Sequence, residues 1–242
     1  MAELLELDAH AGARERPEVE VAARCCSAKA RRNFRVSPPD SETTRFYESH
    51  VRRYGYSYRG LGFGRRSSQE KRFAAAAALG DFHGARLLDA GCGFGDLLAW
   101  LHARGIQPRY TGLDICPPMI EHCRRRFGDA GARFVTGDVL EHEPDECYDY
   151  VVASGIFGYA ARGLRARVQP LLEKLFAMAE VGLAVNFLSR RAPRRSPGRL
   201  YLQPADVLQF ALTLTRAVRM DHTYMPNDFT LCMYRRPSWE EA

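Results

Sequence analysis

From Ala85 onward, short apolar runs alternate with stretches of helical period. Residues 86–90 (RLLDA), 110–114 (YTGLD), 132–135, 149–153 (DYVVA) and 183–188 (LAVNFL) are rich in β-branched, leucine or aromatic side chains and are short enough for buried strands. Between them lie stretches of helical period at 96–103, 118–127 and 170–179, followed by 203–212; Pro118, Pro170 and Pro204 fall near the expected first turns. Two more strands, 217–224 and 229–234, are separated only by the turn signal Pro226-Asn227-Asp228. Strands that alternate with helices predict βαβ units and a largely parallel sheet covered on both faces. The last two strands have no helix between them, so they are expected to form an antiparallel hairpin at one edge.

The upstream third follows other rules. Residues 1–40 hold few large apolar side chains and end in Ser37-Pro38-Pro39-Asp40, which predicts a mobile tail with a short helix near 18–30. Asp40 or Ser41 is placed to cap a helix through Phe46, Tyr47 and Val51. An aromatic and glycine-rich stretch, 54–64, precedes a helix opened by Ser67 or Ser68 and stopped at Gly80. The expected organisation is therefore a tail (1–40), a helical cap (41–84), a main domain (85–236) and a short end (237–242).

Composition narrows the class. The 242 residues are 46% hydrophobic and 26% charged, ordinary for a globular chain with a real core. No run of about 18 apolar residues is present. The opening residues lack a basic stretch followed by an apolar one, which argues against a secretory leader and for a cytoplasmic protein. The seven cysteines are odd in number and form no C-x-x-C, so the expectation is packed free thiols rather than a disulfide framework or a zinc site. His10, His50, His83, His102, His122 and His142 show no metal-ligand spacing, and no metal is expected. The net charge of +6 comes almost wholly from arginine, since Lys29, Lys71 and Lys174 are the only lysines. Scattered arginines read as solvated faces, with one denser run from Arg190 to Arg199.

The chemistry concentrates in Leu87-Leu88-Asp89-Ala90-Gly91-Cys92-Gly93-Phe94-Gly95-Asp96. A glycine loop between strand and helix lets a ligand approach the backbone and offers free N–H groups. The dinucleotide pattern would place its third glycine where Asp96 stands, at the seat of a diphosphate. Asp89 lies at the strand tip on the other side. Two carboxylates flanking the loop repel a diphosphate and suit a cation. Asp114 closes the next strand, where an acid can take both hydroxyls of a ribose. Asp138, in Thr136-Gly137-Asp138-Val139, can accept from an adenine amino group between Ile115 and Val139. Ser154, after the next strand, falls on the same carboxyl edge.

Together LLDAGCGFGDL, YTGLDI, TGDVL and DYVVASGIF resemble the class I S-adenosyl-L-methionine (SAM)-dependent methyltransferases, over roughly residues 85–234. That resemblance implies a Rossmann-like α/β three-layer sandwich with an N-terminal helical cap. Its seven-stranded sheet would run in the order 3-2-1-4-5-7-6, with strand 7 antiparallel. It implies SAM as cofactor and S-adenosyl-L-homocysteine as product. Gly91, Cys92 and Gly93 would face the methionine part, with Asp89 near its ammonium. Asp114 would take the ribose and Asp138 the adenine amine. Ile115 and Val139 would flank the ring, and Ser154 would lie near the sulfonium. Gln69 or Arg72 would reach the cofactor carboxylate.

The acceptor is less constrained. Ala153-Ser154-Gly155-Ile156 is not the Asn/Asp-Pro-Pro-aromatic motif of nucleobase amino methylases, and no Pro-Cys or Thr-Cys nucleophile for a pyrimidine ring is present. The expected reaction is O- or N-methylation of a small molecule. Two alternatives are an RNA methylase that uses the Arg190–Arg199 run, and a SAM-binding protein without transferase activity. His222, Tyr224 and Tyr58 are the candidates for a catalytic side chain, and Arg59 for pairing an acidic group on the substrate. No membrane partner is expected.

Overall fold

The computed structural model describes residues 41–128 and 131–237. The expected tail at 1–40, its short helix and the Asp40 cap lie outside the described residues, as do 238–242.

The parallel strands are β1 (Arg86–Ala90), β2 (Arg109–Asp114), β3 (Arg133–Thr136), β4 (Tyr148–Ala153) and β5 (Ala179–Ser189). A two-residue strand, β6 (Tyr201–Leu202), runs parallel to β5. The chain closes with β7 (Ala217–Asp221) and β8 (Asp228–Tyr234). The sheet order is β3-β2-β1-β4-β5-β8-β7, with β8 antiparallel to both its neighbours. This is the expected topology, enlarged by the short β6. The final hairpin forms as its turn signal predicts, but β7 ends at Asp221 rather than at Tyr224.

Alternation along each strand feeds two apolar layers. Leu88, Ala90, Val151, Ala153, Leu183 and Val185 join one cluster, with Leu171, Leu172 and Leu175 of α5 (Leu164–Ala177) and Val207 and Ala211 of α6 (Pro204–Leu214). Leu87, Val152 and Ala184 point the other way. They meet Phe73 and Ala76 of α2 (Arg66–Ala77), Leu97, Leu98 and Leu101 of α3 (Asp96–His102) and Ile120 and Cys123 of α4 (Pro117–Phe127). Removal of each such leucine, isoleucine, valine or phenylalanine from water contributes roughly 1.5–3 kcal/mol, which is why near-continuous apolar strands settle in the middle layer.

Helix α1 (Ser41–Tyr54) belongs to neither layer. Its Tyr47 and Val51 pack with Leu61 against Phe94, Cys116 and Met119, which follow the tips of β1 and β2. The segment 41–64 therefore lies over the carboxyl edge of the sheet. Two local expectations are corrected. Helix α5 begins at Leu164, so Pro170 stands inside it rather than at its start. Cys92, Cys116, Cys123 and Cys232 are buried free thiols, whereas Cys147 is disulfide-bonded.

Candidate functional site: a carboxylate-lined cleft at the sheet edge

Strand β1 delivers its last residues into a tight turn. Gly91 (φ 75°) and Gly93 (φ 55°) adopt left-handed backbone that side chains disfavour. The Gly91 and Cys92 N–H groups donate to the Leu113 carbonyl at 2.7 and 3.1 Å, which ties the turn to the end of β2. Crowding adds to the requirement. A Cβ on Gly91 would stand 2.2 Å from Ile156 Cγ2, and one on Gly93 2.7 Å from Leu61 Cδ2.

Parallel register brings the acids to one edge. Asp89 pairs with Gly112, Ala90 with Leu113, and Asp114 with Thr136. Asp89 is 2% exposed and accepts a 2.5 Å hydrogen bond from the Tyr110 hydroxyl. Burial pushes its carboxyl up to about 7, against the Tyr110 bond, with the charges of Asp114 and Asp96 adding to the rise. Asp114 takes the Gly93 N–H on one oxygen and the Cys116 N–H on the other, both at 2.9 Å. Its carboxyl is also raised by burial, which these backbone bonds oppose. Asp138 accepts from the Leu140 N–H at 2.9 Å and from the Arg167 guanidinium at 2.6 Å.

Nine of the residues assigned above to the cofactor line one cleft of about 1100 Å³: Asp89, Gly91, Cys92, Gly93, Asp114, Ile115, Asp138, Val139 and Ser154. Leu61, Phe63 and Tyr47 form its roof from the N-terminal segment, and Gln69 of α2 also reaches it. The Gln69 amide donates to Asp96 at 3.1 Å. Among the described residues, the cationic side chain in the lining is Arg167, and it is held by Asp138. The Ser154 hydroxyl oxygen is buried with no hydrogen-bond partner among the described residues. Buried carboxylates, apolar walls and an unpartnered hydroxyl fit a cationic nucleoside and disfavour a diphosphate.

A second cleft of about 1750 Å³ adjoins the first, and Tyr47, Leu61, Phe63 and Gly155 line both. Its floor rests on a buried polar network. Arg72 donates through Nε and Nη2 to Asp228, and the Asn186 amide also donates to Asp228, at 2.7 Å. The Asn186 oxygen accepts the Gly155 N–H at 2.8 Å.

The three candidates for a catalytic side chain line neither cleft. The Tyr224 hydroxyl lies 2.8 Å from the Thr230 hydroxyl and donates to Asp228 at 3.3 Å, so it supports the network from behind. Burial raises its hydroxyl well above the usual range, which removes it as a base near neutral pH. His222 follows the end of β7 and meets Phe229 edge-on. Tyr58 is half-buried beside Arg59. Arg72 is likewise committed to Asp228 and lines the second cleft rather than the first, while Arg59 does face that second cleft. Sequence patterns missed Asn186, Asp228 and Arg167. Their partners are distant in the chain, and no local motif marks them.

A family model described as a methyltransferase domain matches residues 87–175. The Mycobacterium tuberculosis protein Rv1506c, which carries a methyltransferase name, is 32% identical over 151 residues, 59% of this chain and 89% of that protein. The fatty-acid O-methyltransferase of Mycolicibacterium smegmatis is 42% identical over 82 residues, but the match spans only 33% of this chain and 30% of that enzyme. Among solved structures, magnesium protoporphyrin IX methyltransferase from Synechocystis with bound SAM aligns with a TM-score of 0.61 at 16% identity, over 84% of this chain and 100% of that one. The last likeness is one of fold. With the glycine turn, the strand-tip acids and the sheet order already in place, these matches show that the chain belongs to the class I, Rossmann-like SAM-dependent methyltransferases.

Proposed function

We propose that the carboxylate-lined cleft holds SAM and that the adjoining cleft presents the O or N atom of a small-molecule acceptor to its methyl group. The observation that carries this reading is the shared wall: Tyr47, Leu61, Phe63 and Gly155 border both clefts, so a methyl group can cross without entering bulk water. When bound, SAM supplies an electrophilic methyl carbon: the acceptor lone pair forms the new bond, the carbon–sulfur bond breaks, and its electrons return to sulfur.

The chain's own residues bind and orient. Asp114 keeps a free lone pair on each oxygen beside its two backbone bonds, enough to accept from two ribose hydroxyls. Asp138 offers an acceptor to the adenine amine while Arg167 holds it in place. Asp89 lies just before the glycine turn, where its carboxylate, once deprotonated, complements the ammonium. Ile115 and Val139 give the ring apolar walls. The buried Ser154 hydroxyl gains a partner in the sulfonium region, while Gly91 and Gly93 let the methionine portion lie against the backbone. The fatty-acid O-methyltransferase name of one relative supports an oxygen acceptor on a small molecule.

Calorimetric titration of SAM tests the site. Asp114→Asn keeps an oxygen for the turn but removes the charge. It is expected to weaken SAM binding by about 1–3 kcal/mol, or roughly 5- to 150-fold. An unchanged dissociation constant would overturn the ribose assignment. Release of S-adenosylhomocysteine over a panel of acids, alcohols and amines tests the transfer itself. Tight SAM binding with no release on any acceptor would favour a binding protein instead.

A further inference from the structure

Resting on the two-cleft reading, we propose that the second cleft recognises an acceptor bearing a small oxyanion, a carboxylate or a phosphate. Its lining holds Arg59, Arg65, Arg72 and Arg199, together with His50, and no aspartate or glutamate among the described residues. The cofactor cleft beside it has the opposite character, with Asp89, Asp114 and Asp138 in its walls. A protein that segregates charge so sharply across one wall distinguishes a cationic ligand on one side from an anionic one on the other.

The arginines are available for this task. Arg59, Arg65 and Arg199 form none of the ion pairs present among the described residues. Arg199 donates to the Gly62 carbonyl at 2.5 Å, which fixes its guanidinium over the cleft and leaves other N–H groups free. Arg72 supplies the independent observation. It is 6% exposed, its Nε and Nη2 hold Asp228, and its Nη1 is buried with no partner among the described residues. A buried guanidinium nitrogen left without an acceptor is costly, and an oxyanion in the cleft would satisfy it. Within the Arg190–Arg199 run, only Arg199 borders the cleft; Arg190, Arg191, Arg194 and Arg195 are exposed outside it. That distribution favours a small anion over a polynucleotide.

The test uses the full chain saturated with S-adenosylhomocysteine and followed by calorimetry. Citrate, inorganic phosphate, glycerol and a short single-stranded RNA are the probes. Citrate or phosphate is expected to bind and glycerol not, and whichever of the two binds identifies the oxyanion. The doubly substituted R59E/R65E chain, altered at two exposed positions, is expected to lose roughly tenfold or more in anion affinity. Its S-adenosylhomocysteine affinity should stay within about twofold of the parent. The proposal is overturned if neither anion binds, or if either binds R59E/R65E as tightly as the parent. It is equally overturned if RNA alone binds and Arg194→Ala with Arg195→Ala abolishes it. Should the parent chain fail to bind S-adenosylhomocysteine, the cofactor assignment falls. The same anion titration without it then still decides this proposal.

Discussion

Asp89 shows how a single buried carboxyl can tie cofactor affinity to pH. In the ligand-free protein it holds its proton until about pH 7, because burial and two neighbouring acids disfavour the charge. A bound ammonium nearby reverses that balance. SAM affinity is therefore expected to rise with pH up to about 7 and level off above it, falling by up to about tenfold per unit on the acid side. Calorimetry across this range checks the midpoint. Tyr110→Phe removes the bond that favours the charged form, so the midpoint should move upward. For the ligand-free fold the sign is opposite. The folded carboxyl keeps a proton that an unfolded one loses near about pH 4, so its contribution to stability declines as pH rises from there through 7. At this scale the sequence was legible for the residues that line the first cleft from the strand tips. Asp89, Asp114, Asp138 and Ser154 each follow an apolar run, and parallel register carries them to one edge. It was not legible for Arg72 and Asp228, which meet across 156 positions with no pattern at either end.

Elements were read well where apolar runs are short and bounded, and less well where tertiary burial overrides local chemistry. Pro170 illustrates the second case. Proline commonly opens a helix, so the sequence predicts a start there. The helix begins at Leu164 instead, because Leu164 and Val168 are buried in the same layer as Leu171 and Leu172. The chain thus accepts a lost backbone bond and a ring inside α5, features that cost a helix interior about 3 kcal/mol. Pro170→Ala should raise the denaturation midpoint in urea, by up to that amount in free energy. No gain would mean that the helix has already relaxed around the ring. The early part of β5 was hidden for a related reason: Glu180 and Val181 are exposed, so its amino end lacks the apolar run of its centre.

For the whole molecule, the relation between the N-terminal segment and the sheet decides what the site can do. Sequence patterning predicts helices at 41–54 and beyond, but no periodicity says that they cross the carboxyl edge. That placement comes from Tyr47, Val51 and Leu61 packing on Phe94, Cys116 and Met119, contacts between residues far apart in the chain. Leu61→Ala should leave the denaturation midpoint nearly unchanged, since this side chain is only half-buried. It should weaken SAM binding several-fold, because the roof over Gly93 thins. Equal binding by the variant would show that the roof does not bear on the cofactor.

The seat of Leu61 against Gly93 also bears on timing. On the two-cleft reading, the roof at Leu61 must part before spent cofactor can leave, and Arg199 donates to the carbonyl of its neighbour Gly62. On that reading, Leu61→Ala is therefore expected to speed release of S-adenosylhomocysteine, which stopped-flow dissociation checks.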